Sequence, residues 1–73
     1  LRQLTYRLTA ADLIKRRREL LDLRQEDLAE LSKVANKTLH LIEQGSGNPS
    51  FETLKKVADV LGLELELKIK TVS

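Results

Sequence analysis

The chain contains no cysteine, so neither a disulfide nor a thiolate-held metal can staple it. It has no tryptophan or methionine, and one phenylalanine and one tyrosine are its only aromatic residues. Its single histidine cannot build a zinc site alone, and the neighbouring carboxylates lack ligand spacing. No apolar run exceeds a few residues, so neither a signal peptide nor a membrane span is expected, and a cytoplasmic location is. One proline and three glycines leave few breaking points. The proline and two of the glycines fall in Gly45-Ser-Gly-Asn-Pro-Ser50, the one loop with strong breaker chemistry. Neither repeats nor low-complexity linkers are present.

These absences leave 73 residues to form one domain, near the lower limit for burying enough surface to fold alone. Stability must therefore come from leucine-rich packing, oligomerisation, or both. The net charge of +2 decides little about partners. Its distribution says more, with Lys15-Arg-Arg-Arg18 clustered and Glu26, Asp27 and Glu30 on another face. The chain begins with Leu1 rather than methionine, as a segment starting inside a longer protein would.

The stretch from Arg24 to Gln44 organises the rest, and it reads as two short helices joined by a tight turn. Leu28 and Leu31, with Ala29 beside them, give the first an apolar face; Leu39 and Ile42 do the same for the second. Val34 lies between them, placed to plug the angle where they meet. Helices this short are not stable alone, so their apolar sides must be buried on something else. The opposite side of the second helix carries Asn36, Lys37, His40, Leu41 and Gln44, a mixture suited to contact. The spacing reads as a helix-turn-helix presenting its second helix to DNA.

Before this unit, Thr9 is a helix N-cap with Asp12 in the first turn, and the helix runs to about Leu21. Its inner side is Leu13, Ile14, Arg17, Leu20 and Leu21, with the Arg17 stem packed and its head reaching solvent. Asp22, tolerant of a left-handed turn, ends it. After the unit, Ser50 caps a helix from Phe51 to about Leu61, whose inner face is Phe51, Leu54, Val57, Ala58 and Leu61. Gly62 suits the position just past its end. The period then changes to two: in Leu63-Glu-Leu-Glu-Leu-Lys-Ile-Lys70 the residues Leu63, Leu65, Leu67 and Ile69 share one face, and Glu64, Glu66, Lys68 and Lys70 the other. Residues 1 to 8 alternate weakly, which suits a short strand or an extended arm. The expected architecture is mainly α, a single domain over residues 1–73 with a helical core at 9–62 and a strand at 63–70.

A lone strand cannot satisfy its own backbone groups. Its partner is either residues 1 to 8 or the same strand of a second copy, and both can hold at once. Pairing two copies antiparallel about Leu67 sets Glu64 opposite Lys70 and Glu66 opposite Lys68, so every charged pair has opposite sign. On the other face Leu65 meets Ile69, and Leu67 meets its own copy. Each opposite-charge pair contributes ~0.2–1 kcal/mol, so the pairs specify register more than stability. A homodimer is the expectation.

The residues from Leu23 through Leu31, Val34, Thr38 through Gly45, Asn48 to Ser50 and Glu52 to Leu54 resemble the Cro/cI-type (XRE) helix-turn-helix family. The ending Leu61-Gly-Leu-Glu-Leu-Glu-Leu67 is similar to the HipB-type branch, small antitoxin-repressors partnered with HipA-type kinase toxins. The resemblance implies a phage-repressor-like four-helix domain whose C-terminal strand joins two subunits. It also implies that Arg24, Gln44 and Asn48 hold phosphates, with Thr38 and Ser46 as further backbone contacts and the amides of Gly45, Ser46 and Gly47 as extra donors. Gln25 would touch the DNA backbone and brace the recognition helix, and Arg18 with Glu43 would form an internal ion pair. Two positions depart from the pattern: Lys33 stands where the family prefers glycine in the turn, and Ala35 where it prefers a capping serine or threonine.

Asn36, Lys37, His40 and Leu41 are the candidate base readers: asparagine can pair with adenine, lysine can donate to guanine, and leucine can meet a thymine methyl. An enzyme is not expected. No nucleophile–base pair is present, and Gly45-Ser-Gly47 lacks the strand before it and the lysine after it that a phosphate-binding loop needs. No cofactor is expected either. The reading is a sequence-specific, autoregulatory repressor binding double-stranded DNA at a near-palindromic operator as a homodimer. The alternative is an antitoxin whose main role is to bind and neutralise a HipA-type kinase toxin.

Overall fold

The computed structural model describes residues 9–66, in which four α-helices enclose one core. They are α1 (Ala10–Leu20), α2 (Gln25–Ser32), α3 (Asn36–Glu43) and α4 (Phe51–Leu61). Helix α2 packs on α3 and α4, and α1 closes the other side against the same two helices. Two starts follow from side-chain chemistry. The Thr9 hydroxyl accepts from the Asp12 amide at 3.1 Å, and the Ser50 hydroxyl accepts from the Thr53 amide at 3.0 Å.

All four helices end alike. A left-handed residue follows each end, directly at Lys33 and Gly62 and one residue later at Asp22 and Gly45, with φ between 60° and 73°. Each donates its amide back three residues, while the next amide reaches back five, as in Leu23 to Arg18, Val34 to Ala29, Ser46 to Leu41 and Leu63 to Ala58. These are Schellman motifs, which satisfy carbonyls a helix would otherwise leave open. Leu23, Val34 and Leu63, the residues just after three of these left-handed positions, are half-buried against the core. The same turn that stops a helix thus plants an apolar anchor. The tight turn after α2 keeps its left-handed geometry even with Lys33 in the glycine position.

The core is Ile14, Leu28, Ala29, Leu39, Ile42, Val57, Ala58 and Leu61. Five residues expected inside are exposed: Leu13, Leu20, Leu21, Leu31 and Phe51, with Leu20 at 73%. In α1 the inner stripe runs through Ile14, Arg17 and Arg18, because both arginines find internal acceptors for their heads. Leu13 and Leu20 lie off that stripe. In α2 an inner position falls to Ser32, not Leu31. Its hydroxyl donates to the Leu28 carbonyl at 2.6 Å, so a buried polar group is satisfied within its own helix. Phe51, the first residue of α4, stays at the surface.

Leu63 and Leu65 are half-buried while Glu64 and Glu66 are exposed, but residues 63–66 form no strand, because a strand needs a ladder partner and the described residues supply none. The rest of the expected strand (Leu67, Lys68, Ile69 and Lys70) and the expected arm at 1 to 8 lie outside the described residues. Among those described, no helix is long and apolar enough to cross a membrane.

Candidate nucleic-acid interface

Helix α3 buries Leu39 and Ile42 and turns its other side outward. On that side Asn36, Lys37, His40 and Gln44 are exposed, and Thr38 and Leu41 are half-buried at its edge. The side chains of the four exposed residues make no hydrogen bond or ion pair among the described residues. Beside them the loop after α3 folds back, and a hollow of about 210 Å³ opens between helix and loop. Thr38 and Leu41 line it from the helix, and Ser46, Asn48 and Pro49 from the loop. Four candidate contact residues are therefore gathered around one depression. Pro49 belongs to it too, although the sequence marked it only as a breaker.

Arg18 sets how α3 sits. Its guanidinium grips Glu43 with two parallel hydrogen bonds, Nε to Oε2 at 2.7 Å and Nη2 to Oε1 at 3.0 Å, and gives a third to the Leu23 carbonyl at 2.8 Å. Gln25 donates to the same carboxylate at 3.0 Å, so the last residue of α3 is tied to both preceding helices. Burial pushes the Glu43 carboxyl up, but hydrogen bonds from Arg18 and Gln25 and the charges of Arg18 and Lys15 outweigh it and hold the group below the usual carboxylate range. The hydrogen bonds to Glu43 likewise raise the Arg18 guanidinium above its ordinary value.

The first turn of α2 is different. Arg24 precedes it, fully at the surface, with its guanidinium 3.0 Å from Glu26 and 3.1 Å from Asp27. The Asp27 carboxylate also accepts from the Arg24 amide at 2.8 Å, and the bonds from Arg24 keep it ionised to lower pH than usual. For Arg24 to hold a phosphate it must exchange a carboxylate for it, an exchange made easy by the small net strength of exposed ion pairs.

Two expectations change here. The amides of Gly45 and Ser46 are not available as donors, because they bond the Ile42 and Leu41 carbonyls at 3.0 and 2.9 Å in the turn that ends α3. Gly47 alone of the three makes no such bond. The head of Arg17, expected to reach solvent, instead turns inward to the Leu61 carbonyl, while Arg18 makes the internal pair with Glu43 that the resemblance implied. As the sequence leads one to expect, Ala35 precedes α3 without a side-chain cap, so the amides of its first turn lack a side-chain acceptor there.

A helix-turn-helix family model matches residues 14–68, the span that includes all four helix ends described above. The chain belongs to the XRE-type helix-turn-helix family. That family is one of DNA-binding transcription regulators rather than of enzymes. Among solved structures, the chain is similar to SinR, a master regulator for biofilm formation crystallised in complex with DNA. The identity is 33%, the likeness covers 77% of this chain and 90% of SinR, and the TM-score is 0.70. None of the curated proteins matches the chain. The departures at Lys33 and Ala35 thus sit within a family fold that the backbone retains.

Proposed function

We propose that this protein is a sequence-specific transcriptional repressor that binds double-stranded DNA as a homodimer and regulates its own promoter from the cytoplasm. One observation carries the reading: the polar side of α3 stands clear of the core while Arg18, Gln25 and Glu43 hold the helix rigidly from behind. Asn36, Lys37, His40 and Leu41 read base edges in the major groove. Arg24, Gln25, Thr38, Gln44, Ser46 and Asn48 contact the sugar–phosphate backbone and set register. The charge symmetry of residues 63–70 supports the two-fold pairing, which carries two reading helices to successive grooves ~34 Å apart on a near-palindromic site.

The direct test is a gel shift on the protein's own upstream region across a salt series. Lys37→Ala is expected to relax preference at one base position, whereas Arg24→Ala weakens binding evenly across sequences and lowers the salt slope by about one. Equal loss for both variants on every sequence would remove base reading by α3. A second role, neutralising a HipA-type kinase toxin, is supported by the Leu61–Leu67 ending. Co-purification with the product of an adjacent kinase gene tests it.

A further inference from the structure

We propose that Arg17 is a positioning residue that sets the angle at which the C-terminal segment leaves the core, and hence the half-site spacing the dimer accepts. The inference rests on the dimeric repressor reading above. Arg17 occupies an inner position of α1, where the sequence called for packing of its stem alone. Its Nε and Nη2 both donate to the Leu61 carbonyl, at 3.1 and 2.8 Å. Leu61 is the last residue of α4, and α4 has no basic residue of its own in its final turn. Arg17 therefore supplies from another helix the cation that the negative end of α4 lacks.

The exit is held from three directions. Gly62 turns left-handed at φ 72°, and a Cβ there would lie 3.3 Å from Arg17 Nη2, so the guanidinium closes over the turn. Leu63 donates to the Ala58 carbonyl at 2.8 Å and rests on the core. Beyond it Leu65 is half-buried while Glu64 and Glu66 face outward, so the segment has one face set toward the protein from its first residue.

The adjacent residue makes the argument functional. Arg18 grips Glu43 at the end of α3, and Arg17 grips Leu61 at the end of α4. Consecutive residues of one helix thus hold the end of α3 and the start of the segment that the dimeric reading uses to join two subunits. Their relative setting decides how far apart, and at what rotation, two copies of α3 reach the duplex. Two linked modules gain ~10²–10⁴ in affinity only when geometry lets both engage.

The test uses the full chain and a palindromic duplex selected with the wild-type protein, together with versions carrying one base pair inserted or deleted at the centre and a single half-site. Arg17→Leu keeps apolar volume, and Arg17→Lys keeps the charge without the fork; circular dichroism and sedimentation confirm that each variant is folded and dimeric. Wild type is expected to lose ~10-fold or more on the altered spacings, and a variant that folds less than ~3-fold, while both bind the single half-site equally. A folded, dimeric variant with the wild-type spacing ratio overturns the proposal alone. A monomeric wild type, or one that selects no palindrome, overturns the dimeric reading beneath it and the proposal with it.

Discussion

The two ends of α3 are built on different principles. Its C-terminal end is fastened by Glu43, whose carboxylate takes bonds from Arg18 and Gln25 with its side chain 3% exposed. Its N-terminal end begins at Ala35 with no side-chain cap, two residues after a left-handed lysine. The candidate base readers lie between, beginning at the loose end. The ion pair and the Gln25 bond fix the last turn of α3, while the amides of the first turn have no capping side chain. Rigidity is placed away from the proposed contact, and local economy is given up beside it.

The comparison can be broken most sharply at the fastened end. Arg18→Ala leaves the Glu43 carboxylate buried with Gln25 alone, which should cost ~3 kcal/mol. In a domain this small that is a fall of roughly 10–20 °C in the thermal midpoint. A midpoint within a few degrees of wild type would show that α3 is held by packing alone.

Acid gives the next effect. Glu43 titrates below its ordinary range in the folded protein, so the unfolded chain takes up that proton more readily. Its contribution is therefore complete above the unfolded value of about 4.3 and is lost as pH falls through the lower folded value. Asp27, also lowered, acts in the same direction from an exposed position where the contribution is small. Urea midpoints from neutral pH to about pH 3 should fall less steeply in Glu43→Gln than in wild type. Parallel curves would place the acid sensitivity elsewhere.

At the loose end the expected changes are gains. Ala35→Ser supplies the missing cap and should stabilise by ~1 kcal/mol in denaturant titration. Smallest is Lys33→Gly. Relief of the left-handed strain, ~1–2 kcal/mol, is partly offset by the wider freedom of glycine in the unfolded chain, leaving a gain of about 0.5 kcal/mol. If both substitutions lower DNA affinity while raising stability, the loose end is functional rather than merely unoptimised.

Much of the fold was legible because it rests on short-range chemistry. Thr9, Ser50 and Gly62 mark helix limits through bonds that span three to five residues, and the loop from Gly45 to Ser50 breaks the chain wherever it is placed. Asp22 is legible as a left-handed stop for the same reason. Burial was less legible. Leu31 and Ser32 are neighbours 100° apart on α2, and hydrophobicity favours the leucine; the packing of whole helices puts the serine inside, where a back-bond to Leu28 satisfies it. Likewise nothing in the run of four basic residues says that Arg17 serves an internal acceptor 44 positions away, and the Arg18–Glu43 pair was expected only from the family resemblance. The candidate site was partly visible: residue types suitable for contact stand on one side of α3, but the fate of the Gly45 and Ser46 amides depended on a turn geometry that spacing does not display.

By itself the sequence determined where helices start and stop and which side of α3 is polar, since caps, turns and period act over a few residues. The tertiary structure decided which inner positions are filled, where Arg17, Arg18 and Gln25 direct their donors, and what remains free beside α3. Those outcomes depend on what lies across the core, and a side chain's acceptor there is set by the packing of whole helices rather than by its neighbours in the chain.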